Sequence, residues 1–109
     1  MARFLLTYRG PATPPEQMTA EQSAETMQLW NAWTDKVGSA VVDLGLPFGA
    51  RASVAGDGSE GAPPDLNGYT IVEATDLAAA KSFADGHPFL STGEARFAVD
   101  VYELVPIPM

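Results

Sequence analysis

The chain has no cysteine, which removes disulfides, thiol nucleophiles and zinc or iron–sulfur sites built on thiolates. It has a single histidine, His87, so a self-contained His-rich metal site is excluded as well, and no metal or other cofactor is expected. Basic residues are scarce: six Lys and Arg stand against fourteen Asp and Glu, a net charge of −8. A phosphate backbone is bound by clustered cations that release counterions, so this balance argues against a nucleic-acid partner. Long apolar runs are missing too, and the few-residue runs present fall far short of the roughly 20 needed to span a bilayer, which argues against a membrane protein. Behind Met1 stand one arginine and a strand-like segment, with no apolar signal core, so a cytoplasmic location is expected. With 109 residues and 46% hydrophobic content, the chain reads as one folded domain, 1–109, large enough to build a core unaided.

Arg3 to Tyr8 is short, apolar and aromatic, and Arg9-Gly10-Pro11 ends it, which predicts a buried strand. Residues 9–15 hold three prolines and a glycine and are expected to loop. Thr19 with Gln22 three residues on forms a capping box, and Glu21 and Glu25 suit the positive end of a helix dipole. Ala20, Ala24, Met27, Trp30, Trp33 and Val37 then recur every three or four residues, one stripe of a helix that Gly38 ends.

A second strand is predicted at Ala40–Leu44. Six of the ten glycines lie between Gly45 and Gly68, making that region turn-rich, with a minor strand at Arg51–Ala55 before the turn dipeptide Asp57-Gly58. Tyr69–Ala74 reads as a third strand. Asp76 caps a helix over Leu77–Asp85 whose Leu77, Ala80, Phe83 and Ala84 face one way, and Gly86 and Pro88 close it. Ala95–Leu104 alternates Phe97, Val99 and Val101 with Arg96, Asp100 and Tyr102, a half-buried strand of period two.

The order β-α-β-loop-β-α-β predicts an α+β fold of ferredoxin-like type, a four-stranded antiparallel sheet with both helices on one face. The other face must then be solvated, bind a ligand or meet a second sheet. If Phe97, Val99 and Val101 point at the helices, then Arg96, Ala98, Asp100, Tyr102 and Leu104 lie on the open face. That mixed set suits a homodimer whose sheets enclose a partly polar cavity; scattered surface residues are the competing reading.

Particular stretches resemble the YCII-related family. They are Trp30 with Trp33, Val41-Val42-Asp43-Leu44-Gly45-Leu46-Pro47-Phe48-Gly49, Leu66-Asn67-Gly68-Tyr69-Thr70-Ile71-Val72-Glu73-Ala74, His87-Pro88-Phe89-Leu90, and Val99-Asp100-Val101-Tyr102-Glu103. In this order they span nearly the whole chain. The resemblance implies a dimeric α+β barrel of ferredoxin-like protomers and a family of mostly undefined function, a few of whose members act on hydroxylated aromatic compounds. It also implies, for better-known members, a His–Asp dyad with the histidine on the first helix and the aspartate on the next strand. Here Met27 to Lys36 carries no histidine; tryptophans stand there instead. Asp43 sits near the aspartate's strand position, so the dyad chemistry does not carry over.

Candidate catalytic groups are therefore His87 and Asp43. His87 is the one side chain that titrates near neutrality, and a helix C-terminus before it would favour its protonated form. The structural alternative is that it bonds carbonyls or sits in its turn. Asp43 interrupts an apolar strand, so it is a base raised by burial or an edge residue facing water or Arg51. Asp100 shares a face with Arg96, where an ion pair across a dimer competes with ligand contact. Tyr8, Tyr69 and Tyr102, each a ring with a polar tip, are candidates to line a pocket with Trp33 and Phe48, against core packing as the alternative. The sequence thus points to binding or metal-free acid–base transformation of a small metabolite, or else to a non-catalytic binding or dimerisation module.

Overall fold

A computed structural model describes residues 1–11 and 15–108. Its strands are β1 (Ala2–Arg9), β2 (Val41–Asp43), β3 (Ser53–Val54), β4 (Glu60–Gly61), β5 (Leu66–Ala74) and β6 (Ala98–Leu104). Helices α1 (Ala20–Val37) and α2 (Leu77–Ser82) interrupt them, with short 3-10 turns at Pro15–Gln17, Gly38–Ala40 and Pro88–Leu90. Four strands form one antiparallel sheet in the order β2-β5-β1-β6, the ferredoxin-like arrangement expected from the element order. The loop expected over 9–15 falls partly outside the described residues.

β1 and β5 are the two inner strands, and β1 pairs with β5 on one side and β6 on the other. Phe4, Leu6 and Tyr8 alternate onto the helix-covered face, opposite Val72, Thr70 and Gly68 of β5. Val99 and Val101 of β6 stand opposite Tyr8 and Leu6 on that same face, so Asp100, Tyr102 and Leu104 occupy the open one, as their alternation predicts. Beside them across the open face run Ile71, Leu5 and Tyr102, in register on three strands.

Local chemistry sets the helix ends. Thr19 accepts the Gln22 N–H at 3.1 Å while Gln22 Oε1 accepts the Thr19 N–H at 2.9 Å, a complete capping box. Asp76 caps α2 by accepting the Ala79 N–H at 2.8 Å. Gly45, at φ +80°, lets the chain leave β2; a Cβ there would lie 1.8 Å from the Tyr69 carbonyl oxygen.

Several expectations need correction. The α1 stripe does not bury throughout: Ala20 and Ala24 are exposed and Met27 is 60% exposed, because no described element covers the first two turns, and the packed positions are Trp30, Trp33 and Val37. α2 stops at Ser82 rather than Asp85, its last residues closing as turns, and Leu77 at its start is 54% exposed. β5 begins at Leu66, three residues before the expected Tyr69, because β1 pairs with it that far. β6 starts at Ala98, leaving Arg96 and Phe97 ahead of the strand. The minor strand finds a partner in β4, through the Asp57-Gly58 turn.

Candidate functional site

His87 lies beneath the sheet's helix-covered face, 1% exposed, as the residue preceding the Pro88–Leu90 turn. Four aromatic rings box it in: Tyr8 at 4.4 Å, Trp33 at 4.7 Å, Trp30 at 4.9 Å and Phe89 at 6.1 Å between centroids. Its Nδ1 accepts the Phe89 N–H at 3.1 Å, which places the proton of the neutral ring on Nε2. That Nε2 is buried and has no hydrogen-bond partner among the described residues. Burial in this apolar box pulls the imidazole pKa down to about 4, so the ring is neutral at pH 7. The expected dipole-favoured protonation is therefore corrected: desolvation by four rings outweighs a weak effect from a six-residue helix.

The same box fixes its neighbours. Trp33 is also 1% exposed and donates Nε1–H to the Phe83 carbonyl at 2.7 Å. The Tyr8 hydroxyl bonds Thr70 Oγ1, which donates onward to the Leu44 carbonyl at 2.7 Å. Burial pushes the Tyr8 phenol up to about 12, with the Thr70 bond partly opposing the rise. Tyr8 thus remains protonated under any ordinary condition.

Outside the box lies an open-sided cleft of about 310 Å³, between α1, the Pro88–Leu90 turn and the approach to β6. Its walls are apolar and aromatic, chiefly Met18, Leu29, Trp30, Phe89 and Phe97, with hydroxyls from Thr26, Ser91 and Thr92. Trp30 and Phe89 belong to both places: they face His87 on one side and form the cleft wall on the other. The volume sits at the small end of ligand sites, about 300–1,000 Å³, which fits a single-ring ligand.

The remaining sequence candidates lie elsewhere. Asp43 stands on edge strand β2 opposite Ile71, exposed, and its Oδ1 accepts the Gly45 N–H at 2.9 Å. Neither His87 nor Arg51 is its partner; Arg51 donates to the Leu66 carbonyl at 2.7 Å. Asp100 is gripped by Arg9 within the chain, at 2.9 and 3.2 Å, and Arg96, which stands ahead of β6 rather than on its face, pairs with Glu94 at 2.6 Å. Phe48 stacks on Tyr69 at 5.9 Å, with Tyr69 and Tyr102 on the open face. The candidates therefore divide between the two faces of the sheet: Tyr8, Trp33 and His87 beneath the helices, and Tyr69, Asp100 and Tyr102 on the other side. None of the expected site residues lines the cleft, and none of its lining residues, Trp30, Phe89, Thr26 and Thr92 among them, was a sequence candidate for the site. The adjacency of Phe89 to His87 and the position of Trp30 on the packed stripe were the available signals for two of them. Among the described residues, no group of three or more His, Asp or Glu is placed to hold a metal ion.

The YCII-related domain model matches residues 1–105 of the chain. No curated protein matches it in sequence. Among solved structures, the chain is similar to 5-chloro-2-hydroxyhydroquinone dehydrochlorinase from Burkholderia phenoliruptrix AC1100, in complex with 2,5-dihydroxybenzoquinone, at 20% identity and a TM-score of 0.50. That likeness covers 94% of this chain and 93% of the other, and it supports the shared fold.

Proposed function

Because the chain belongs to the YCII-related family, we propose that it binds a small hydroxylated aromatic compound, with the cleft beside the His87 box as the binding site. The observation that carries the reading is the cleft itself: a single-ring volume walled by Trp30, Phe89 and Phe97 and edged by hydroxyls. Aromatic walls favour a planar ring by offset or edge contacts, and a few hydroxyls orient it. The dehydrochlorinase acts, by its name, on a hydroxylated aromatic, which fits this ligand class.

Binding is favoured over proton transfer. Asp43 and His87 sit on different elements with different partners, so no acid–base couple is assembled between them. His87, neutral with its proton on Nε2, is a donor rather than a base. Its part on this reading is to hold Phe89, and with it the cleft wall, through the Nδ1 bond.

The test is a fluorescence titration of the purified chain with hydroquinone, since Trp30 lines the cleft. Saturable quenching is expected, weakened about tenfold by Phe89→Ala, which removes a stacking wall. Unsaturable, linear quenching identical in the variant would refute the reading.

A second feature favours a homodimer. Ile71, Leu5 and Tyr102 form an apolar row across the face that no helix covers, bounded by the ion pairs Arg3–Glu73 and Arg9–Asp100. A second copy's sheet would bury that row while the charged groups keep contact with water at its margins.

A further inference from the structure

Resting on that proposed site, we infer that the cleft selects an uncharged ring bearing two oxygen functions, gripped by Thr26 as acceptor and Thr92 as donor. Both threonines line the cleft, and each has already committed one half of its hydroxyl. Thr26 donates its proton to the Gln22 carbonyl at 2.9 Å, so only its lone pairs remain for a ligand. Thr92 accepts the Glu94 N–H at 3.2 Å, so its own proton remains to give. One helix position thus offers an acceptor and one loop position a donor, both on the lining of the same cleft. A phenolic hydroxyl satisfies the first, and a second hydroxyl or oxo oxygen satisfies the second.

Charge is selected against by the same walls. None of the described lining residues carries a charged side chain, and the aromatic box behind Trp30 and Phe89 holds a neutral imidazole. A carboxylate entering the open-sided cleft would lose part of its water, and the cation beside its wall, Arg96 at 5.1 Å from the Phe97 ring, is already paired with Glu94 at 2.6 Å. The net charge of −8 adds a repulsive field, although salt screens it beyond about 8 Å.

Three single-ring probes test this in one titration series at pH 7. Hydroquinone is uncharged, 2,5-dihydroxybenzoate carries a carboxylate, and 2,5-dihydroxybenzoquinone is a vinylogous acid that ionises. Hydroquinone is expected to bind at least tenfold tighter than either anion. Thr26→Val and Thr92→Val, nearly isosteric, should each weaken hydroquinone about three- to tenfold while the far-ultraviolet dichroism is unchanged. Phenol, with one hydroxyl, should respond to only one of the two variants. Leu29→Arg, a change at a half-exposed wall position, should raise affinity for 2,5-dihydroxybenzoate. Anions binding as tightly as hydroquinone would overturn the selectivity while leaving the binding site standing, and unaltered hydroquinone affinity in both threonine variants would overturn the grip. Failure of every probe would overturn the binding reading and this inference together.

Discussion

At the residue scale, His87 is the most consequential side chain. An imidazole of unfolded pKa near 6.5 is held at about 4 by burial, so below pH 6.5 the unfolded chain takes up a proton that the folded chain refuses. Stability contributed by this group is complete above pH 6.5, falls as pH drops, and levels off below 4. The span amounts to about 3 kcal/mol. His87→Gln should flatten the urea midpoint between pH 6.5 and 4.5 relative to wild type, a comparison that cancels the carboxylates titrating in both. Trp33→Phe makes a different point. It removes the donor to the Phe83 carbonyl and leaves a void at a buried position, so about 2–4 kcal/mol of unfolding free energy should be lost, read by urea denaturation at pH 7.

At the element scale, α1 shows what sequence pattern can and cannot convey. Its bounds and capping box were legible because they depend on neighbours three residues apart. Which end of its stripe would be covered was not, because that depends on how far the sheet and the Pro88–Leu90 turn extend beneath it. Thr19→Ala should therefore cost about 1 kcal/mol, whereas Met27→Gln should change stability by less than about 0.5 kcal/mol, both checked by thermal unfolding. The four main strands were legible as short apolar runs between breakers or as period-two alternation, and their ferredoxin-like arrangement followed from the order in which strands and helices alternate. The early start of β5 was hidden, because Leu66-Asn67-Gly68 looks like turn sequence until β1 pairs with it. The site was only half legible. His87 stood out as the lone histidine, but the sequence cannot show that Tyr8, Trp30, Trp33 and Phe89, four separate aromatics, converge on it. Asp43 stood out for a local reason, a charge among β-branched residues, and its answer is also local: an edge position and a turn with Gly45.

At the scale of the whole molecule, the sheet separates two surfaces with different chemistry. Beneath the helices lie the neutral box and the cleft; on the open face lie the apolar row and two ion pairs. On the proposed assignment the first surface serves a ligand and the second a partner copy. Light scattering should give a mass near twice the 11.5 kDa of one chain at micromolar concentration. Tyr102→Lys, at an exposed position on the open face, should shift it toward the single-chain value without changing the hydroquinone affinity.

The two surfaces are told apart most directly by mapping amide and indole chemical shifts on an isotopically labelled chain during a hydroquinone titration. The cleft assignment predicts saturable shifts at Trp30, Phe89 and Thr92, with Tyr69 and Tyr102 unmoved. Shifts confined to Tyr69, Tyr102 and Asp100 would contradict it and move the ligand to the opposite face of the sheet.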